Sequence, residues 1–180
     1  MTFQKTVRFD QAGGIPGEKA NDGPSRAEPG ILTAIGTVGR FFSEDPAKPG
    51  HWTQGAVSGS LRFALLTTPK QYAAQGTTAG GTLAPTMQLL ANTTAEFATM
   101  GQFWVVGDSP NAMPGHDVYF SDLTGAIITS PPSVPITSGA TKVAGAVVAP
   151  FPGGGNNQAQ GGNMIVITLN GPLPYVAPAP

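Results

Sequence analysis

The chain of 180 residues contains no cysteine and few charged residues, and each absence excludes a class of protein. Without cysteine there are no disulfides, no thiolate metal ligands and no cysteine nucleophile. Charged residues make up 11% of the chain and the formal net charge is −1. A protein that neutralises nucleic-acid phosphates needs a basic surface, so we expect no nucleic-acid partner.

Long apolar segments are also missing. The longest apolar runs, such as residues 164–169, are far shorter than the ~20 residues that a membrane-spanning helix needs. The opening residues, MTFQKTVRFDQ, lack the apolar core of a secretory signal. We therefore expect no membrane partner and a protein that stays in the compartment where it is made.

Glycine and proline are abundant, with 25 and 18 residues, and short β-branched or aromatic runs lie between them. Helical periodicity does not persist beyond one turn, so the pattern predicts an all-β fold, either a small β-barrel or a β-sandwich. Gly101 marks a bulge or a point of close approach within the strongest predicted strand, and residues 122–125 form a hairpin turn. A polar break is predicted at residues 43–55. Residues 32–42 carry scattered β-branched and aromatic residues with glycines between them. The predicted strands are residues 60–68, 82–90, 96–106, 117–121, 126–129, 142–149 and 163–169.

Both ends of the chain differ from this β-region. Prolines and glycines interrupt residues 9–31, and charges of both signs lie between them. No period of 3.6 or 2.0 persists there, so the segment is predicted to be an extended arm that lies on another surface. The predicted organisation is an N-terminal arm over residues 1–31, a β-domain over residues 32–170 and a Pro-rich tail over residues 171–180.

Residues able to carry chemistry are scarce. His51 and His116 each follow a Pro-Gly pair, without the spacing of a metal site, and adjacent His116 and Asp117 would point to opposite faces of a strand. The glycine-rich residues 76–81 lack the lysine of a phosphate loop, and no nucleophile elbow is present. Glu96 is interpreted as a charge at a strand edge. We expect no catalytic residue, no cofactor and no metal, and thus no enzyme.

The aromatic residues leave two interpretations open. Trp52, Trp104 and Tyr119 are candidates for a platform that binds sugars, which would suit a carbohydrate- or receptor-binding β-module on a virion or cell surface. Phe103 and Trp104 are alternatively anchors of the core or of an oligomer interface. A β-barrel hydrolase is a third and more remote hypothesis.

Three segments together resemble one family. They are PGEKANDGPSRAEPGIL at residues 16–32, GTLAPTMQLLANTTAEFATMG at residues 81–101, and PGHDVYFSDLTGAI at residues 114–127. This chain is similar there to the structural cement, or capsid decoration, proteins of tailed bacteriophages. The resemblance implies a small β-rich protein, made in the host cytoplasm, on the outer surface of the virion. There it would bridge neighbouring subunits of the major capsid protein and help the head to withstand the pressure of its DNA.

The arm is the expected contact with the capsid, because prolines restrict its free state and its charges need partners. Since two-fold dimers are the commonest soluble homo-oligomers, we expect a homodimer rather than a trimer, with Phe103 and Trp104 at its interface. The predicted partners are thus the major capsid protein and a second copy of the chain. The residues predicted to contact the capsid are Arg8, Phe9, Pro16, Glu18, Pro24, Arg26 and Pro29.

Overall fold

The computed structural model describes residues 14–60, 62–68, 87–108, 112–136, 138–150 and 164–170. Every helix or strand in these ranges is a strand, so the all-β prediction is confirmed. None of the described residues forms a helix long and apolar enough to cross a membrane. The strands are β1 (Arg26–Leu32), β2 (Gly36–Thr37), β3 (Phe41–Glu44), β4 (His51–Gln54), β5 (Phe63–Leu66), β6 (Gln88–Leu89), β7 (Thr94–Val106), β8 (Asp117–Ser121), β9 (Ile127–Ser130), β10 (Ala140–Val148) and β11 (Met164–Asn170).

Five strands close into a β-barrel. Their order is β1-β4-β3-β5-β7, and β1 also pairs with β7, which joins the two ends of the series. The β1–β4 pair is parallel and the other four pairs are antiparallel. Of the two architectures expected from the sequence, the structure therefore has the barrel, in which closure leaves few open edges.

The second half of β7 begins another set of strands. From residue 100 onward β7 pairs with β11, and the sheet continues through β10, β8 and β9. Gly107, just beyond β7, then forms a parallel bridge with Ile127 at the start of β9. The N–H of Asp108 donates to the carbonyl of Ile127 at 2.9 Å. The 13 residues of β7 are thus shared by two rings of strands.

Two hydrophobic cores lie on opposite faces of β7. Because successive side chains of a strand point to opposite faces, β3 and β5 contribute to both cores. The smaller core contains Leu32, Val38, Phe42, Trp52, Ala64, Leu66, Leu89, Ala95 and Phe97. The larger core contains Phe41, Leu65, Ala98, Phe103, Val105, Ala112, Val118, Phe120, Ile127, Val143, Ala146, Val148, Ile165, Ile167 and Leu169.

The turn between β8 and β9 connects the two rings. The N–H of Phe41 donates to the carbonyl of Gly125 at 2.9 Å, and that of Ala56 donates to the carbonyl of Asp122 at 2.8 Å. The Arg40 guanidinium donates to the carbonyl of Thr124 at 3.0 Å. These bonds fix the turn against β3 and against the loop that follows β4.

The sequence predicted most of these elements. The strand at β7 and the hairpin of β8 and β9 are confirmed, and Gly101 has φ 126° beside a register shift in the β1–β7 pair. The predicted polar break at residues 43–55 was wrong, because β4 and part of β3 lie within it. Trp52 in β4 is buried in the smaller core, and its burial outweighs the polar residues around it. Of the predicted strand at residues 82–90, only the part from residue 87 lies within the described residues.

Candidate functional site

The described part of the predicted arm begins with a segment that we call the strap, residues 14–20. The N–H of Gly17 donates to the carbonyl of Trp104 at 2.7 Å, and the N–H of Trp104 donates to the carbonyl of Glu18 at 2.9 Å. On the other side of the strap, Thr68 donates its N–H to the carbonyl of Gly17 at 3.0 Å. The strap therefore lies as an extra strand between β7 and the residues that follow β5.

The chain then crosses β7. Leu65 of β5 and Ala27 of β1 both pair with Ala98, so β5 and β1 lie on opposite edges of β7. The strap is on the β5 edge, and residues 21–25, which we call the crossover, lead from it to β1. The crossover passes close to Gly101, where an added Cβ would come within 3.0 Å of the Ser25 Cβ. Residues 14–32, which we call the clasp, thus contact β7 along both of its edges.

Two glycines allow the strap to fit. A Cβ at Gly14 would lie 2.3 Å from the Trp104 indole, so only backbone can cover that ring. Gly17 has φ +83°, and a Cβ there would lie 2.5 Å from the Val38 side chain. Side chains rarely adopt this backbone conformation and have no space here, so both positions require glycine. From the sequence, these two glycines indicated only that the segment is irregular.

The boundary of the β-domain differs from the sequence-based one. Residues 1–31 were expected to lie outside the domain, but Arg26–Leu32 forms β1 and pairs with β7 over six residue pairs. The composition of β1, RAEPGIL, gives no strand signal, because its stability comes from pairing with a strand almost 70 residues away.

The charges of this segment have different environments. Glu28 and Glu44 both form ion pairs with Arg62, whose guanidinium also lies 5.8 Å from the centre of the Trp52 ring. Burial lowers the pKa of Arg62, but the hydrogen bonds and negative charges of Glu28 and Glu44 outweigh it and raise this pKa above its ordinary value. By contrast, Arg26 is exposed and has no ion-pair partner within the described ranges.

The predicted contact residues are divided by the structure. Arg8 and Phe9 lie outside the described residues. Pro16 is half-buried in the strap, where its carbonyl accepts from the Thr68 hydroxyl at 3.0 Å, and Glu18 is exposed. Pro24, in the crossover, and Arg26 and Pro29, in β1, are also exposed. Glu18, Pro24, Arg26 and Pro29 therefore lie on the accessible surface of the clasp.

Pro29 also lies at an open edge. The N–H of Ile31 donates to the carbonyl of Gly50, away from β7. Alternate residues of a strand direct their backbone groups to the same side, so the nitrogen of Pro29 faces that side too. Among the described pairings, β4 contacts β1 only at Ile31 and Leu32. Proline there removes a donor from an open edge, which discourages unspecific strand pairing.

A groove lies beside the crossover, with a volume of ≈ 690 Å³. The strap forms one wall through Gly17 and Lys19, and β1 contributes Ala27 and Pro29. Phe103 of β7 also lines it. The groove is therefore bounded by the strap, by β1 and by β7, which lies between them.

Phe103 and Trp104 lie in the interior. Phe103 belongs to the larger core and is 3% exposed. Trp104 is 7% exposed and packs with Ala149 and Val166, and Gly14 covers its ring. Both rings thus have contacts within their own chain, and their role at an oligomer interface stays a prediction.

The other candidate residues do not come together. Trp52 and Tyr119 are each 2% exposed, so neither they nor Trp104 present an aromatic platform to a sugar. The His116 imidazole accepts from the N–H of Met113 at 3.5 Å. Among the described residues, no group of three or more His, Cys, Asp or Glu side chains could hold a metal ion.

The fold itself gives the first comparison. It is similar to that of a chain in the solved structure "The capsid of Myoviridae Phage XM1", with a TM-score of 0.59. The match covers 94% of this chain and 98% of that chain at 17% sequence identity. An all-β fold is therefore shared with a chain in a phage capsid structure. No protein of curated function matches in sequence.

The sequence then gives the family. Residues 3–170 match the family described as "Structural cement protein (E217 gp24/Pam3 gp6)". Because the match spans almost the whole chain, this protein belongs to the structural cement proteins, and the resemblance in the three segments is confirmed. Proteins of this family are structural proteins of the virion, and this chain therefore has a structural, capsid-stabilising role.

Proposed function

We propose that this protein binds the outer surface of a phage capsid and bridges neighbouring subunits of the major capsid protein. The bridge would oppose the outward pressure of packaged DNA. The observation that carries the proposal is the family match over residues 3–170. A protein that binds only the assembled shell raises the free energy of shell rupture by mass action, without any catalytic step.

The clasp is the surface that we assign to the capsid. Glu18, Pro24, Arg26 and Pro29 are exposed there, and β7 holds the backbone of the strap and of β1, which flank the crossover. A surface fixed in this way loses little conformational entropy on binding. Arg26 can donate two parallel hydrogen bonds to a carboxylate, so an acidic group of the capsid protein is its expected partner.

The test compares heads that lack this protein with the same heads after saturation with the purified chain. DNA release on heating is followed with a dye that fluoresces on DNA. Saturated heads are expected to release DNA at a higher temperature, and intermediate occupancy should give intermediate temperatures. Equal release temperatures at full occupancy, measured by sedimentation, would contradict the stabilising role.

A further inference from the structure

The strap is attached mainly through its backbone. Three hydrogen bonds join its backbone to Gln102 and Trp104 of β7, with lengths of 2.7 to 2.9 Å. Two more, from the N–H and hydroxyl of Thr68, reach the carbonyls of Gly17 and Pro16. Its larger side chains contribute less, since Ile15, Glu18 and Lys19 are exposed. Segments with few buried apolar contacts detach at a lower cost than the whole fold.

The slot that the strap fills is specific. It lies between Thr68 and β7. It has room only for backbone where the chain covers the Trp104 ring, and only for a glycine where the chain contacts Val38. A strand with side chains at both positions would clash, as the Cβ distances at Gly14 and Gly17 show. Residues 14–20 meet these conditions in every copy of the chain. A second copy is therefore a better match for an open slot than an unrelated extended segment.

The crossover favours exchange. Only five residues carry the chain across β7, and Ser25 lies so near Gly101 that a Cβ added to Gly101 would be 3.0 Å from the Ser25 Cβ. Residues 21, 22, 24 and 25 are exposed, so the crossover can extend without uncovering a core. Short, tightly held hinges are the elements that favour swapping, because an extended hinge relieves the close turn. Exchange between identical chains restores every bond in the slot, so its enthalpic cost is small.

We propose that the strap is exchanged between two copies of this chain, each inserting residues 14–20 into the slot of the other. The site is the gap between Thr68 and residues 102–104, and its occupant is the strap of a second copy. This strand exchange links the copies through backbone hydrogen bonds. It does not depend on binding to a capsid.

The absence of cysteine allows a direct test with full-length chains. Ala20 lies opposite Gln102, with its N–H 2.8 Å from the Gln102 carbonyl. Opposed residues of antiparallel strands are about 4.5–5.5 Å apart at Cα, within the range of a disulfide. One chain carries Ala20→Cys alone and another carries Gln102→Cys alone. Neither can form the strap-to-slot disulfide within itself, so a mixed dimer reports a strap seated in the slot of another copy.

The two chains are mixed, warmed below the unfolding transition and oxidised, and the products are separated without reductant. We expect the mixed dimer to exceed either homodimer on the order of tenfold or more, because a seated strap holds its cysteine at a high effective concentration. Adding Gly17→Val to the Ala20→Cys chain should abolish this excess, since the valine cannot enter the slot.

A chain with both cysteines is the control for geometry and should form the disulfide readily. If it does so while the mixed dimer stays at the level of the homodimers, the strap remains in its own chain and exchange is refuted. If the double variant forms no disulfide, Ala20 does not lie opposite Gln102, and the slot on which the proposal rests is refuted as well.

Discussion

Phe41 and Phe42 are adjacent in β3, yet their rings lie in different hydrophobic cores. Phe41 stacks on Phe120 in the larger core, with ring centroids 5.3 Å apart. Phe42 meets Phe97 edge to face in the smaller core, with centroids 5.6 Å apart. β3 therefore contributes to both cores, so we expect that lost packing in one core also destabilises the other through the backbone of β3.

This arrangement predicts a single unfolding transition. Phe41→Ala and Phe42→Ala should each destabilise the protein by about 3–5 kcal/mol, the usual cost of removing a buried phenylalanine. Calorimetry and tryptophan fluorescence should show one coincident transition at a lower temperature in both variants. Two separate transitions, each sensitive to only one of the substitutions, would show that the cores unfold independently.

The turn between β8 and β9 should tolerate no side chain at Gly125. A Cβ there would lie 2.2 Å from the carbonyl oxygen of Phe41, and φ is +62°. Gly115 is a matched control, because its φ is +87° but nothing lies within 4 Å of the added Cβ. Both substitutions by alanine incur the backbone penalty of about 1–2 kcal/mol.

We expect Gly125→Ala to cost at least ~2 kcal/mol more than Gly115→Ala, because it also displaces the turn from β3. Urea unfolding of both variants measures the difference. Equal losses would mean that the contact with Phe41 adds nothing to the stability.

The ion pair between Lys142 and Asp117 should contribute a small, pH-dependent stability. The Lys142 ammonium lies 2.5 Å from the Asp117 carboxylate, and this hydrogen bond raises the pKa of Lys142 above its ordinary value of 10.5. A raised pKa of a cationic group stabilises the folded state below the ordinary value, and the gain is lost as pH rises through the raised one.

Because Lys142 is half exposed, the coupling should be below about 1 kcal/mol at pH 7. A double-mutant cycle with Lys142→Met and Asp117→Asn measures it. The coupling energy should fall toward zero above pH 10.5 and in high salt. A coupling energy that stays the same when the pH is raised well above 10.5 would rule out the charged form of Lys142 as its source.

Charge reversal at Arg26 tests the proposed capsid contact. Arg26→Glu should weaken head binding by about 2–5 kcal/mol if the pair is buried in the complex, and by less than about 1 kcal/mol if it stays exposed. Lys48→Glu is the matched control, since Lys48 is also exposed but lies in the turn before β4, outside the clasp. Co-sedimentation with heads at several salt concentrations measures both. Equal effects of the two variants would remove Arg26 from the interface.

Truncation separates the clasp from the residues before it. Deletion of residues 1–13 leaves strap and β1 intact, so the chain should still fold and unfold cooperatively. Deletion of residues 1–30 removes the strap and most of β1, which opens the barrel, and should abolish cooperative unfolding. If the shorter deletion retains full head affinity, residues 1–13, including Arg8 and Phe9, do not carry the binding.

Several features were determined by the sequence alone. Alternating and β-branched residues predicted β7 and the hairpin of β8 and β9, because a half-buried strand needs that local pattern. Gly101 indicated the irregularity in β7, because glycine permits backbone conformations that interrupt a regular strand. The family resemblance was also local, since it rested on three short segments of the sequence.

The tertiary structure decided the rest. β1 has no strand-like composition, and β4 lies in a polar segment; both depend on partners distant in sequence. Closure of the barrel depends on β1 reaching β7, and the position of the strap depends on space that Gly14 and Gly17 leave beside Trp104 and Val38. Long-range pairing and steric fit leave no periodic mark on a sequence, so the predicted free arm became, over its described residues, a clasp around β7.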